Sequence, residues 1–408
     1  MTKKISKALS LFLLAFILFS AILGSTYELI IPDAISCGAD GAIPTYPLVS
    51  SYDTQIHSDL SPIDNTTLVT QSVDYRLYGI IPLKSVTVSK KQELKLYPGG
   101  MPFGVKFITE GVLVVGFCDV DGTPEAKNPS AEAGLKINDI ITKINGAELT
   151  GASELTRAVE ESGGKTLSLT YSRDGKEYST TLTPIYSPSE GKYKTGIYVR
   201  DSGAGIGTVT FIFPESYAFA GLGHGICDAG TGKLIPMQRG SVVGVTISGV
   251  VKGLAGSPGE VKGYFSSGKT GSLLGNTECG VYGVFASKPE GIHCEPLPVG
   301  GRNELKEGKA YIYCTLDGNT PAKYEIEICN IKRDSTSNKC FTVKVTDPAL
   351  IEKTGGIIQG MSGSPIIQNG KLVGAVTHVM VTDPTEGDGI FIEKMLSAAE
   401  GQAQPKAA

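Results

Sequence analysis

Alternating apolar and polar positions organise most of this chain. Between Val73 and Leu96, runs such as Ser85-Val86-Thr87-Val88 put apolar side chains on one face of an extended segment, so strands begin here. Gly99-Gly100-Met101-Pro102-Phe103-Gly104-Val105-Lys106-Phe107 reads as a glycine-bounded loop running into a strand, and Gly111 to Val120 as a second apolar strand. Ser130-Ala131-Glu132-Ala133-Gly134-Leu135 is one helical turn closed by a glycine, and Asp139 to Gly146 is a strand entering an Asn-Gly turn. Ser153 to Glu161 is a helix with Ser153 as its cap and Leu155, Ala158 and Val159 on its apolar face. Leu167 to Tyr171 and Tyr178 to Leu182 close a hairpin around Asp174-Gly175. Further strands are expected at Gly207 to Phe213, Val242 to Val251, Val281 to Ala286, Ala310 to Leu316, Tyr324 to Ile328 and Phe341 to Val345. Short strands with glycine turns over 187–396 suit a double β-barrel or a large sandwich.

The N-terminus follows a different pattern. Lys3, Lys4 and Lys7 precede Ala8 to Leu23, which is apolar apart from Ser10 and Ser20. As a helix this run rises roughly 24 Å, a little short of a hydrocarbon core of about 30 Å. Residues 1–24 are therefore a signal peptide or a signal-anchor, with the lysines left in the cytoplasm and the rest of the chain exported. Residues 25 to about 70 keep no steady period and read as a spacer. The expected order is 1–24 membrane signal or anchor, 25–96 spacer and leading strands, 97–186 one domain, 187–396 a second and larger domain, and 397–408 a polar tail. Asn65-Thr66-Thr67 has the form of a glycosylation sequon.

Composition narrows the function. The chain has 408 residues, 41% of them apolar, enough for two domains with cores, and its 52 Gly and 22 Pro favour many turns. A net charge of −4, with no basic cluster beyond the first lysines, argues against a nucleic-acid partner. Of eight cysteines none lies in C-x-x-C or beside paired histidines, so no zinc site and no cofactor is expected. In an exported protein Cys314 and Cys329 flank a hairpin and can pair; free buried thiols are the other reading.

One turn carries the chemistry, Gly360-Met361-Ser362-Gly363-Ser364-Pro365. It places a serine hydroxyl and several backbone N–H groups on one small exposed bend, as a nucleophilic serine and its oxyanion hole require. Gly360 and Ser362 would supply the oxyanion donors. The plain alternative is ordinary Gly/Ser/Pro turn chemistry. Of four histidines, His57 lies in the spacer, His293 sits beside Cys294, and His378 is on the strand after the turn. His224, between two glycines at a strand end, has the open face that a general base needs. The orienting acid stays open between Asp347, at a strand end before Pro348, and Asp228, four residues from His224.

Residues 97–186, above all Ala133 to Leu149, resemble a PDZ domain of the bacterial protease-linked kind. That resemblance implies that Gly100, Met101, Pro102, Phe103 and Gly104 form the loop where a peptide's C-terminal carboxylate docks, the peptide then extending the sheet. The peptide is foreign or a segment of the chain itself. The turn at 360–365 resembles that of chymotrypsin-like serine proteases. Lys371 to His378 is similar to their substrate-pairing strand, with Thr377 and His378 in the substrate cleft, and Gly387 to Phe391 to the strand that closes the specificity pocket. The expected fold is mainly β: a PDZ domain followed by a chymotrypsin-like double β-barrel, behind an N-terminal membrane helix.

Over about 70–395 the chain resembles the stage IV sporulation protein B family. Matching its order of His, Asp and Ser implies a triad of His224, Asp347 and Ser362. It also implies a protease exported from the forespore into the space between two membranes and anchored until it cuts itself near its N-terminus. Its further substrate would be a regulatory partner of a membrane metalloprotease, which leads to processing of a late sporulation sigma factor. Asp347 stands only 15 residues before Ser362 (362 − 347), closer than in chymotrypsin-like enzymes generally. The competing class is a non-catalytic binder, with a PDZ tether and a degenerate protease domain.

Overall fold

The computed structural model describes residues 2–37, 43–61, 66–121 and 127–403. They form two compact units that divide between Leu94 and Lys95.

The first unit begins with α1 (Thr2–Ile30), whose stretch Lys7–Ile30 contains an 18-residue window with a mean hydropathy of 2.4 and is long and apolar enough to cross a membrane. The helix does not stop at residue 24. It continues to Tyr27, whose hydroxyl donates to the Pro47 carbonyl at 3.0 Å, and Ile31 follows into a core with Val73, Tyr75, Leu77, Val86 and Val88. That core covers a sheet of β1 (Ala34–Cys37), β2 (Val49–Ser61), β3 (Thr66–Leu77) and β4 (Ile81–Glu93) in the order β1-β4-β3-β2. The irregular spacer expected over 25–70 is thus corrected. β2 and β3 pair from Val49 against Leu77 to Ser61 against Thr66, with a shift at Asp53/Gln55 that breaks the alternation. Asn65 lies outside the described residues.

The second unit opens with β5 (Lys95–Pro98) and β6 (Pro102–Phe117). β6 is one sixteen-residue strand, where the sequence suggested a break before Gly111. After it come α2 (Pro129–Glu132), β7 (Ile140–Ile144), β8 (Ala147–Glu148), α3 (Ala152–Glu161), β9 (Leu167–Arg173) and β10 (Lys176–Leu182), close to the expected places. Both predicted two-residue turns, Asn145-Gly146 and Asp174-Gly175, take positive φ as their type demands. These elements enclose Val112, Val114, Leu135, Ile141, Leu155, Val159 and Leu169. The cap of α3 is not Ser153. Gly151 holds that position, and the Ala152 N–H donates to an Asp201 carboxylate oxygen at 2.8 Å.

A short hairpin, β11 (Ile185–Ser187) with β12 (Lys192–Lys194), leads to β13 (Ile197–Ile212), β14 (Ala218–Gly221), β15 (Met237–Val251), β16 (Glu260–Thr277) and β17 (Gly280–Phe285). Pairing runs β6-β15-β16-β17-β14-β13 and back to β6, which closes a six-stranded ring around Phe103, Phe107, Val209, Phe219, Val242 and Val281. A second closed barrel takes β19 (Gly308–Cys314), β20 (Ala322–Cys329), β21 (Phe341–Val345), β22 (Pro365–Gln368), β23 (Lys371–Met380) and β24 (Asp383–Phe391), preceded by β18 (Leu297–Pro298). α4 (Pro348–Thr354) lies between β21 and β22, and α5 (Ile392–Ala403) follows β24. β16 escaped the sequence reading because its middle is exposed and rich in Gly, Ser and Lys. The suggested Cys314–Cys329 bridge is corrected. Cys314 pairs with Ala322 at one end of the β19–β20 ladder and Cys329 lies past the other end, next to Ile328, the partner of Gly308. Both thiols are free.

Candidate active site

The turn at 360–365 lies against strands of both barrels. From the first, the Thr208 hydroxyl on β13 donates to the Gly360 carbonyl at 2.7 Å, the Thr208 N–H to the Ser362 carbonyl at 3.1 Å, and the Thr210 hydroxyl to the Gly363 carbonyl at 2.8 Å. From the second, the Gly363 N–H donates to the Val376 carbonyl at 2.8 Å, and the Val376 N–H to the Ser364 carbonyl at 3.0 Å. Gly363 sits at φ +96°, and a Cβ there would overlap the Thr208 carbonyl, so the position requires glycine.

These bonds decide which way the remaining amides face. The Gln359 carbonyl accepts from the Val261 N–H at 2.8 Å. The Met361 carbonyl accepts from the Ser364 N–H at 2.9 Å and from its buried hydroxyl at 2.6 Å. In a trans peptide C=O and N–H point in opposite directions. The N–H groups of Gly360 and Ser362 therefore turn away from those partners, and among the described residues neither donates a hydrogen bond. Two adjacent free donors beside a half-buried hydroxyl are what an acyl-transfer site uses on a developing oxyanion.

The structure gathers Ser362, Thr377, His378 and His224. Ser362 Oγ donates to the Thr377 carbonyl at 2.6 Å, and the rings of His224 and His378 lie 4.8 Å apart between centroids, tilted by 33°. No hydrogen bond joins Ser362 to His224 among the described residues. His224 Nδ1 is 2.9 Å from the Gly225 carbonyl, which makes Nδ1 the protonated nitrogen and leaves Nε2 able to accept a proton. Burial lowers the His224 pKa below the ordinary imidazole value, with the Gly225 carbonyl opposing. His378 is pushed down to about 4, first by burial, then by the neighbouring His224 and Lys339, against the opposing pull of Asp388. Both rings are thus neutral at pH 7.

Neither candidate acid meets His224. Asp347 is the N-cap of α4: Oδ1 accepts from the N–H groups of Ala349 at 3.0 Å and Leu350 at 3.1 Å, and Oδ2 from Glu325 N–H at 3.2 Å. Reading it as a strand-end aspartate overlooked a legible signal, since Asp-Pro opening a helix and Gly355 closing it are standard boundary chemistry. Asp228 is buried. It pairs with Arg200 and accepts from Gly230 and Thr231 N–H, so it holds its own turn. Asp388, which the sequence reading did not single out as an acid, lies opposite His378 in the β23–β24 ladder and pairs with Lys339 at 3.0 Å.

The proposed carboxylate loop is also corrected. Gly99 and Gly100 donate their N–H groups to the carbonyls of Thr210 and Val209, at 2.9 and 2.8 Å. Pro102 pairs with Thr208 and Gly104 with both Ile206 and Val243, which builds this stretch into the first barrel. Met101 and Phe103 are 5% and 2% exposed in its core. Gly100 to Gly104 is barrel wall, not an open loop.

Thr208 and Thr210 were not foreseen as part of the site. Their sequence signal is two threonines at alternate positions of an otherwise apolar strand, which also fits an ordinary solvent-facing edge.

The fold is that of two β-barrels with a PDZ unit joined to the first, and the serine turn between the barrels has the parts of an acyl-transfer site. The family model described as SpoIVB peptidase S55 matches residues 191–396, just over half of the chain, and that of the PDZ domain matches 99–183. The chain belongs to the SpoIVB peptidase S55 family and carries a PDZ domain. Among curated relatives, "Probable periplasmic serine protease do/HhoA-like" of Haemophilus influenzae is 40% identical over 57 residues, 14% of this chain and 12% of that protein. "Zinc metalloprotease RasP" of Shouchella clausii is 27% identical over 133 residues, 30% of this chain and 31% of that protein. The chain thus matches less than a third of either relative's length. Among solved structures, "HtrA-type protease AlgW with decapeptide" is 9% identical, with 75% of this chain and 65% of that one covered and a TM-score of 0.31.

Proposed function

We propose that the protein is an exported, membrane-tethered endopeptidase in which Ser362 is the nucleophile and His224 Nε2 the general base. The observation that carries it is the turn at 360–365, with its carbonyls held and the Gly360 and Ser362 N–H groups left free beside the hydroxyl. Ser362 attacks the scissile carbonyl, His224 takes its proton and later passes it to the leaving amine, and the two N–H groups hold the oxyanion. Thr377 and His378 line the substrate cleft.

In the described arrangement Ser362 Oγ donates to Thr377 instead, so attack requires that hydroxyl to rotate toward His224. The Gly225 carbonyl orients the imidazole as a triad carboxylate would. Asp347, the acid that the His, Asp, Ser order assigns, takes over that role only after leaving the α4 cap. Asp347→Asn and Asp228→Asn separate the candidates: loss of activity in the second alone would remove Asp347 from the triad.

The substrates proposed are the enzyme's own N-terminal region and a regulatory partner of a membrane metalloprotease. The PDZ unit binds a peptide or self-segment, and the setting is the space between the two forespore membranes, where cleavage triggers processing of a late sporulation sigma factor. What supports this is the family, the apolar helix α1 and the PDZ unit. Sequencing the mature N-terminus of wild-type and Ser362→Ala protein tests self-cleavage: identical termini would contradict it.

A further inference from the structure

We propose that Thr208 and Thr210 of β13 are positioning residues that set the nucleophile turn, an assignment that rests on the reading of Ser362 as nucleophile. Three bonds from one strand reach three carbonyls of the turn, those of Gly360, Ser362 and Gly363, and two of the donors are side-chain hydroxyls. Thr208 is 4% exposed and Thr210 fully buried, so water does not replace a lost hydroxyl there. The hydroxyls hold the Gly360–Met361 and Gly363–Ser364 peptide planes and the Thr208 N–H holds the Ser362–Gly363 plane, so β13 fixes the turn before and after the nucleophile, including the plane between the Gly360 and Ser362 N–H groups. Without these bonds the turn relaxes, and the free N–H groups of Gly360 and Ser362 swing off the oxyanion position.

β13 is suited to this task because it is held along its whole length. Its first residues, Ile197 to Arg200, pair with Phe117 to Leu113 of β6, with Ile197 and Val199 packed on the PDZ core. Its last, Val209 to Ile212, pair with β14. The threonines thus hang from a strand fixed at both ends, and β23 bonds the turn through Val376 as a second support.

The experiment measures the rate of covalent modification by an alkyl fluorophosphonate, separated into maximal rate and half-saturating concentration, alongside thermal unfolding. The phosphonyl oxygen needs the same oxyanion donors, whereas a merely structural role would leave the maximal rate of folded protein unchanged. Thr208→Val and Thr210→Val keep the shape and remove the donor. Each is expected to lower the maximal rate about 10- to 100-fold, somewhat less than loss of a direct oxyanion donor, with the half-saturating concentration within about twofold. Thr208→Ser, which keeps the hydroxyl, is expected to stay within about threefold of wild type.

Folded valine variants that react at the wild-type rate would overturn the positioning role, and so would Thr208→Ser losing as much as Thr208→Val. If the valine variants fail to fold, Thr208→Ser decides on its own: a folded serine variant slowed tenfold or more would overturn the role of the hydroxyl, and one within about threefold of wild type supports it. Modification of Ser362→Ala at an undiminished rate is a separate result that would overturn the nucleophile itself.

Discussion

Two glycine-bounded stretches promised the same thing, backbone N–H groups free to hold an anion, and they ended differently. In Gly360 to Pro365, β13 donates to three carbonyls of the turn while Val261 and Ser364 hold those of Gln359 and Met361, so the N–H groups of Gly360 and Ser362 are left over. In Gly99 to Gly104, β13 supplies acceptors, Val209 and Thr210, so the N–H groups of Gly99 and Gly100 are consumed and Met101 and Phe103 become core. The same strand, within three residues, donates to one loop and accepts from the other. Glycine content permits an anion site, but the strand alongside decides whether the donors remain.

The largest effect expected from this contrast is at Ser362. Ser362→Ala should cut peptide hydrolysis by about 10⁴-fold or more while the thermal unfolding midpoint stays within a few degrees. Hydrolysis at wild-type level would erase the distinction between the two loops. Phe103→Ala should instead act on stability, costing about 3–5 kcal/mol by denaturant unfolding, because it empties part of the barrel core. Full stability combined with weakened peptide binding would restore the carboxylate loop.

Much of the contrast was invisible in sequence for physical reasons. The helices and hairpins over 130–182 were readable because turns and spacing are local, whereas the α3 cap was not, since Asp201 from far along the chain serves it. The Gly360 to Pro365 turn was readable because its Gly, Ser and Pro pattern is local, although the partners that set its amides are not. What could not be read was long-range pairing: Pro102 with Thr208, and the bonds of Thr208 and Thr210 across some 150 positions. The strands over Val73 to Leu96 were legible, but the partner strand β2 was hidden because it is largely polar. Asp347 does follow the end of a strand, and its local Asp-Pro pattern also carries the helix cap that the structure adds.

Asp347 sharpens the comparison at a smaller scale, since its carboxylate, like the Gly99 to Gly104 amides, is already in use. Asp347→Ala should cost about 1 kcal/mol by loss of the α4 cap, whereas Asp347→Asn, a good cap, should cost little. A large activity loss in the asparagine variant at unchanged stability would show that the carboxylate acts beyond the cap.

The smallest effect is on pH. His224 is held below the ordinary 6.5, so kcat/KM should persist as pH falls through 6.5 and decline only at lower values. The stability carried by neutral His378 is present above 6.5 and is lost as pH falls from there through about 4, because the unfolded chain takes up that proton first. A kcat/KM limb at or above 6.5 would mean that the imidazole is not shielded as described.

The most direct measurement is to treat the purified folded protein with a fluorophosphonate and map the adduct by mass spectrometry. A single phosphonyl group on Ser362, absent in Ser362→Ala, is predicted. An unlabelled protein, or a label on another residue, would contradict the site at Gly360 to Pro365.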